Sequence, residues 1–573
     1  MGIEFGTTAW VLVPLLPLLT VVIVAVGPRE SCERRARIGM LPIVAAFFGA
    51  VVILALVSVQ GPVTVRWYES SAPANLALPV GFYFDRLSAV MMVLITGIAT
   101  LVYRYSIGFM QQEHGYARFL ALMMLTVFIL LCMVSSANLV MLFVFWQLLT
   151  WQLYLLAHRY DHQPTLDGTF KKFMLLRTTD VVFLAGIVVA YVLYGTIEFQ
   201  ELALRAASTP VMLALWPGVI EISGTTMITL LIFIGAMGKS AQVPLCMWLP
   251  ASLYAPTPVS ALLHAGIINA GGFLLNRLAP LYGLSPTTLH IVFAIGMLTA
   301  ILGASMMLVQ NDIKQTLVFS TVGQMGYMIM ECGLGAFALA IFHLMAHGLF
   351  KATAFLNVGH VIHKARQEMM LPHVSHGAEE FELPRLTWAT GFLTTLLLPL
   401  VILLATHGVL AIPLLESQGV LIFLFFAWAT SSQAILTLTR MRAVASWKVS
   451  LAMLGTLIFV VFVYLFAAES FTRFLYPNPD DVARYFQAAA LPGRLFDVLV
   501  GGTVVVTVLS WAYLYARAHG RTGPMPAWVE ELQRRLYVLC MNRLYLDMLH
   551  ARFGRSVMRL AKEVDKRAFE RLP

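Results

Sequence analysis

"GKSAQVPLCMWLPASLYAPTPVSALLHAGIINAGG", residues 238–272, decides how the rest of the chain is read. Lys239 closes an apolar run that begins at Thr225, and Pro244 and Pro250 follow at once. Pro244 has no amide hydrogen and crowds the carbonyl four residues back, that of Ser240. The spacing therefore predicts a helix broken just after Lys239. A second helix is predicted from Thr257, with Thr257 as N-cap and Pro258 at the first helical position. Ala261, Ala265, Gly266, Ala270 and Gly272 give it a small-residue face for close packing, and His264 stands two turns in. Broken backbone at membrane depth is tolerated only where protein or a water-lined cavity satisfies it. A lysine there either snorkels to the interface or serves an ion. The break itself, with Ser240 and Gln242 beside it, favours the ion.

The composition outside this stretch sets the class. Of 573 residues, 59% are hydrophobic and 12% charged, against about 25% charged in ordinary globular domains. About fifteen apolar runs are long enough to span a bilayer. They lie near 9–27, 38–60, 81–103, 117–135, 137–157, 173–194, 225–245, 257–280, 286–309, 315–332, 336–359, 386–410, 418–439, 449–468 and 495–516. The chain reads as an all-α polytopic membrane protein with no separate soluble domain. Its first run lacks a basic leader and a small-residue cleavage site, so it is expected to be a retained helix. Cys32, Cys132, Cys246, Cys332 and Cys540 have neither metal-ligand nor redox spacing.

The net charge of +9 would suggest nucleic acid in a soluble protein; here it reports topology. Loops on one side carry Arg34, Arg35, Arg37, Lys171, Lys172, Lys364, Arg440 and Arg442, and the basic tail adds more. The other side holds few, among them Arg66, Arg205 and Arg277. The positive-inside rule then puts the N-terminus outside and the C-terminus in the cytoplasm. The tail beyond Gly520 spaces Trp528, Leu532, Leu536, Leu539 and Leu544 as an amphipathic helix would. It is expected to lie on the inner membrane surface or to dock a partner.

A second constellation is "IFHLMAHGLFKATAFL", residues 341–356. His343, His347 and Lys351 at i, i+4 and i+8 form one stripe on a helix face, about 12 Å long. Histidine takes a proton on one nitrogen and releases one from the other, so the stripe suits a proton wire. Core histidines bonded to backbone are the plainer alternative, and an i, i+4 zinc pair lacks both the glutamate and a nearby third ligand. His360, His363, His373 and His376 crowd the following loop; a metal site is conceivable there, and a solvated docking segment is the favoured reading. Arg177 and Asp180, one turn apart, are expected to pair with each other. Asp85 begins a span near the surface, where a charge is cheap.

The 238–272 stretch, "NDIKQTLVFSTVGQMGYM" (311–328) and "AIFHLMAHGLFKATAFL" (340–356) resemble the antiporter-like subunits of respiratory NADH:quinone oxidoreductase and of multisubunit sodium/proton antiporters. "FDRLSAVMM" and "FMLLRTTDVVFLAG" fit the same family. The resemblance implies about 14–15 transmembrane helices containing two inverted five-helix repeats with broken helices around a midplane polar axis. It divides the chain into N-terminal helices (1–116), a first repeat (117–280), a second repeat (281–440), C-terminal helices (441–517) and a cytoplasmic basic tail (518–573). Carried over by motif, Lys239, His264, Lys314, His343, His347 and Lys351 are the ion-path residues, with Gln147, Arg177, Asp180 and Ser240 supporting.

There are departures. Gln147 stands where the family has a glutamate paired with the lysine of "GKSAQ"; it can hydrogen-bond Lys239 but not neutralise it, so the lysine is expected to be neutral part of the time or to borrow a carboxylate, from Asp180 or from a partner subunit. No lysine occupies the broken helix of the second repeat, since 365–447 holds neither lysine nor aspartate. These features are most similar to the membrane subunit of two-component, DAB-type inorganic-carbon accumulating systems. That likeness implies a large cytoplasmic partner resembling a zinc β-carbonic anhydrase. It also implies zinc in the partner, no cofactor or metal in this chain, no nucleic acid, and residence in the inner membrane. A proton-pumping subunit of a redox complex or antiporter, and a non-conducting anchor for the partner, are the alternatives.

Overall fold

The computed structural model describes residues 9–26, 32–68, 80–157 (apart from 112 and 114), 163–216, 220–252, 255–367 and 527–569, with parts of 466–509. The predicted spans near 386–410, 418–439, 449–468 and 495–516 and most of the region expected to complete the second repeat lie almost wholly outside the described residues, as do His373 and His376; His360 and His363, expected in a loop, fall instead within the helix Phe337–Gln367. The chain divides into two compact units, 1–333 with 340–363 and 537–573, and 334–339 with 364–536.

The first unit is built almost wholly of helices: α1 (Leu12–Ala25), α2 (Cys32–Ile38), α3 (Met40–Gln60), α4 (Arg86–Phe109), α5 (Tyr116–Val134), α6 (Leu139–Ala157), α7 (Gln163–Tyr194), α8 (Phe199–Ser208) and α9 (Gly224–Lys239). Then come α10 (Thr257–Ala265), α11 (Ala270–Arg277), α12 (Ala279–Tyr282), α13 (Pro286–Leu308), α14 (Ile313–Gly333) and α15 (Phe337–Gln367), whose 340–363 belongs to this unit. Eight of the described helical segments are long and apolar enough to cross a membrane. Apolar side chains such as Leu148, Val181, Val192, Ile301 and Leu308 face outward while lysines, histidines and an aspartate are buried. That inversion is what a lipid solvent selects.

Two antiparallel hairpins were not foreseen: β1 (Val63–Tyr68) with β2 (Val80–Phe84), and β3 (Met212–Trp216) with β4 (Ile220–Ser223). The run predicted to span from residue 81 therefore enters as a strand, and its helix begins only at Arg86. Asp85 caps that helix, accepting from the Ser88 amide at 2.8 Å. Its carboxylate is also gripped by Arg277 at 2.6 and 3.1 Å, and Arg277 reaches Ser88 Oγ at 2.7 Å. Asp85 is thus half of an ion pair that ties the end of α11 to the start of α4. Arg277, counted above among loop charges, is buried.

Helices α13 and α14 approach closely enough for backbone contact. A Cβ on Gly303 would lie 2.7 Å from the Gly323 Cα, and one on Gly326 would lie 2.7 Å from the Thr299 carbonyl carbon. In lipid, where burial gives little drive, such small-residue contact is the main adhesive between helices. In the second unit, α16 (Pro479–Ala488) carries Tyr485 edge-on to Phe337, ring centroids 5.3 Å apart. The tail forms α17 (Ala527–Met541) and α18 (Leu546–Phe569), as its spacing predicts. Within the first unit, Arg543 between them donates to Gln315 Oε1 at 3.1 Å.

Candidate ion-path site

The break after Lys239 is real, but it starts earlier than Pro244 alone requires. Helix α9 ends at Lys239 with Ser240 as its C-cap, and Ala241 has a left-handed φ of 48°. Residues Leu245–Trp248 and Pro250–Ser252 are short 3-10 turns, and α10 then begins at Thr257, with Pro256 and not Thr257 as its N-cap. Several of the freed backbone groups find partners. Trp248 Nε1 donates to Gly238 O at 2.7 Å, Gln242 Nε2 to Ser240 O at 2.8 Å, and the Gln242 amide to Met237 O at 3.0 Å. The Val243 amide donates to Thr299 Oγ1 at 3.0 Å. Buried polar backbone must be satisfied, and the side chains of Trp248 and Gln242 supply most of what the break removes.

The following helix is broken too. After His264, α10 stops at Gly266, and Ile267–Asn269 is a 3-10 turn before α11. Ser240 Oγ donates to Ile268 O at 2.8 Å, so one break closes on the other. The sequence signal for this second interruption was the glycine after Ala265, first read only as a packing residue.

Lys239 is fully buried. Its Nζ donates to Thr150 Oγ1 and, at 3.2 Å, to Trp146 O, and lies 5.4 Å from the Trp146 ring centroid. Asp180 accepts from Thr150 Oγ1 at 3.0 Å and from Trp146 Nε1 at 2.7 Å. Its charge therefore reaches Lys239 through one hydroxyl. Two expectations are corrected here. Gln147 does not touch the lysine; it accepts from Arg177, whose guanidinium also lies over Trp151 and Phe173. Arg177 and Asp180 do not pair with each other, because the helix turn aims Arg177 at one edge of α6 and Asp180 at its buried face.

The second cluster lies along α15. Lys351 is buried and donates to Ser320 Oγ at 2.8 Å and Leu317 O at 3.3 Å. His343 Nδ1 meets Glu331 Oε2 at 3.1 Å, and its Nε2 meets Gln324 Oε1 at 2.8 Å. Glu331, a buried carboxylate inside a predicted span, was missed, although the rule that singled out the lysines applies to it equally. The His343 and His347 rings stand 6.5 Å apart. Both nitrogens of His343 are engaged.

His264 lies beside the second cluster. It is buried and stacks on Phe355, ring centroids 4.4 Å apart, one turn beyond Lys351. Gly348 allows this: a Cβ there would lie 3.0 Å from Ala265 O. Neither nitrogen of His264 or of His347 has a hydrogen-bond partner among the described residues. Lys314, in the first turn of α14, is only half-buried and stands at the margin of this strip.

One lysine that sequence reading left in a loop belongs inside. The core-facing stripe of α7 runs Lys172, Leu176, Thr179, Asp180, Phe183 and Ile187, and Lys172 is 1% exposed with no partner for Nζ among the described residues. The i, i+4, i+7 spacing from Lys172 was the available signal.

The family model described as "NADH:quinone oxidoreductase/Mrp antiporter, TM" matches residues 136–440, and that of the complex I chain 5 N-terminus matches 70–120. The chain belongs to this antiporter-like membrane family. It is 34% identical over 565 residues, 96% of its own length and 97% of the relative's, to a protein of Halothiobacillus neapolitanus named probable inorganic carbon transporter subunit DabB1. It is 35% identical over 364 residues to NAD(P)H-quinone oxidoreductase chain 5 of Synechocystis, and covers 53% of that protein. The fold is similar to a chain of an archaeal membrane-bound sulfane sulfur reductase (TM-score 0.58, 17% identity, 84% of this chain and all of that one). It is also similar to a chain of the Mrp complex from Dietzia (0.53, 21%, 98% and 63%).

Proposed function

We propose that this chain is the cation-conducting membrane subunit of an inorganic-carbon accumulating complex. Protons, with sodium as the alternative cation, pass along Lys239, His264, His347 and Lys351, with Lys314 at the margin. One observation carries the reading: a buried file of ionisable groups in which His264 and His347 have no hydrogen-bond partner among the described residues. Buried polar atoms are rarely left unmade without a mobile occupant such as water or an ion. Asp180 takes the place of the missing glutamate, acting on Lys239 through Thr150.

The partner is a large cytoplasmic protein resembling a zinc β-carbonic anhydrase, and the zinc belongs to it. Cation influx biases that partner towards hydrating CO₂ to bicarbonate and a proton. One elementary charge crossing 100 mV provides about 2.3 kcal/mol, a bias of well over tenfold. The N-terminus lies outside and the basic tail in the cytoplasm of the inner membrane. A pump in a redox complex is disfavoured by extent: the chain matches the DabB1 relative over its whole length but about half of the Synechocystis one. A non-conducting anchor would not need buried lysines.

The test is a growth assay that depends on bicarbonate supply, with Lys239→Ala and Lys351→Ala made separately. Loss of growth at ambient CO₂ in both supports conduction. Normal growth in both removes it, and leaves the anchor.

A further inference from the structure

Lys172 is buried as deeply as Lys239, yet no acceptor or carboxylate meets its Nζ among the described residues. Its surroundings are not those of a loop charge. It lies on the core face of α7, two turns before Asp180, and α7 packs against the 3-10 turns that follow Lys239. The α6–α7 pairing, Trp146 with Asp180, Gln147 with Arg177 and Trp151 with Phe173, brings Gln152 of α6 to about the level of Lys172. Gln152 Oε1 and, in the break, Gln242 Oε1 are also buried without partners. Lys172 acts electrostatically on His264, whose nitrogens are open as well.

An unpaired ammonium in this setting costs several kcal/mol unless it gives up its proton or gains a ligand. The unmatched atoms around it are amide oxygens and imidazole nitrogens. The amide oxygens accept hydrogen bonds, and a neutral imidazole accepts on one nitrogen and donates from the other, so water suits the site.

We propose that Lys172 is a further relay lysine, handing protons through water to His264. The Lys172 Nζ–H bond breaks and leaves its electron pair on nitrogen. A bridging water takes that proton as it delivers another to the open His264 nitrogen, so charge moves and atoms are conserved. This rests on the conduction reading above, and it extends the path towards the basic-loop end of α7.

The experiment reconstitutes the full complex in liposomes. It measures proton entry with an internal pH dye under a potassium diffusion potential, for wild type, Lys172→Arg, Lys172→His and Lys239→Ala. Arginine keeps the charge but does not release its proton in proteins, whereas histidine can relay. The expected result is at least a tenfold loss of flux in Lys172→Arg and partial flux in Lys172→His, with the complex co-purifying intact. Flux within twofold of wild type in Lys172→Arg, with Lys239→Ala blocked, overturns the role of Lys172 alone. Undiminished flux in Lys239→Ala overturns the conduction reading instead. If Lys172→Arg does not assemble, Lys172→His decides: flux retained with a shifted pH profile supports the relay, and an unshifted profile overturns it.

Discussion

Replacing Asp180 by asparagine removes a charge and almost no volume. In the native protein its carboxylate takes the Trp146 indole N–H and the Thr150 hydroxyl, and that same hydroxyl receives Lys239. The ammonium and carboxylate are thus separated by one bridging oxygen and lie about 5 Å apart or less. At an effective dielectric near 20 their attraction is about 3 kcal/mol, roughly a hundredfold in the site's hold on a cation. The asparagine carbonyl can still accept from Trp146, so packing survives while the field at Lys239 does not. Proton flux in liposomes carrying the complex is expected to fall by one to two orders of magnitude, with assembly unchanged. Thr150→Val, which removes the bridge but keeps the charge, is expected to fall less. Asp180→Asn conducting within twofold of wild type would refute the substitution of Asp180 for the family's glutamate.

Other outcomes follow from the same geometry. Arg277→Ala leaves Asp85 without its buried partner and is expected to destabilise the first unit by about 3–5 kcal/mol. This would be read as a lowered thermal midpoint in detergent, with Asp85→Ala added to Arg277→Ala restoring part of it; strict additivity of the two changes contradicts the pair. Gly326→Val forces α13 and α14 apart and is expected to cost at least about 1–3 kcal/mol by overpacking, visible in the same melt; an unchanged midpoint contradicts the backbone contact. In the tail, burial holds the His550 imidazole below its ordinary 6.5, against the opposing pull of Asp547 and the Pro244 backbone. The docked ring favours its neutral form, so docking is fully present above 6.5. It weakens as pH falls through 6.5 towards the docked value, because the undocked ring takes up the proton first. Hydrogen exchange of 546–560 is expected to quicken on going from about pH 8 to about pH 5, and His550→Asn should flatten the change.

The membrane class and most helices were legible because apolar runs of this length have few other destinations. The family followed from three motifs, and the break after Lys239 from a proline. What failed was the pairing of charges. Arg177 and Asp180 are neighbours in sequence, yet a turn of helix aims them at different groups on α6. Gln147 was judged against the family's glutamate and given the lysine, when an arginine on the facing helix reached it first. Lys172 was counted as a loop charge because a basic pair at the head of a span looks like topology; only its register with Asp180 puts it inside. Glu331 was overlooked beside more familiar motifs. The hairpins are short and alternate poorly, so nothing in their period separated 80–84 from the helix that follows.

Current recorded from the reconstituted complex on a solid-supported membrane, after a step in pH, addresses the central claim most directly. Wild type is expected to give a transient that inverts when the step is reversed, and Lys239→Ala and Lys351→Ala each to abolish it. Equal currents in wild type and both variants, from complexes of equal integrity, would contradict the account.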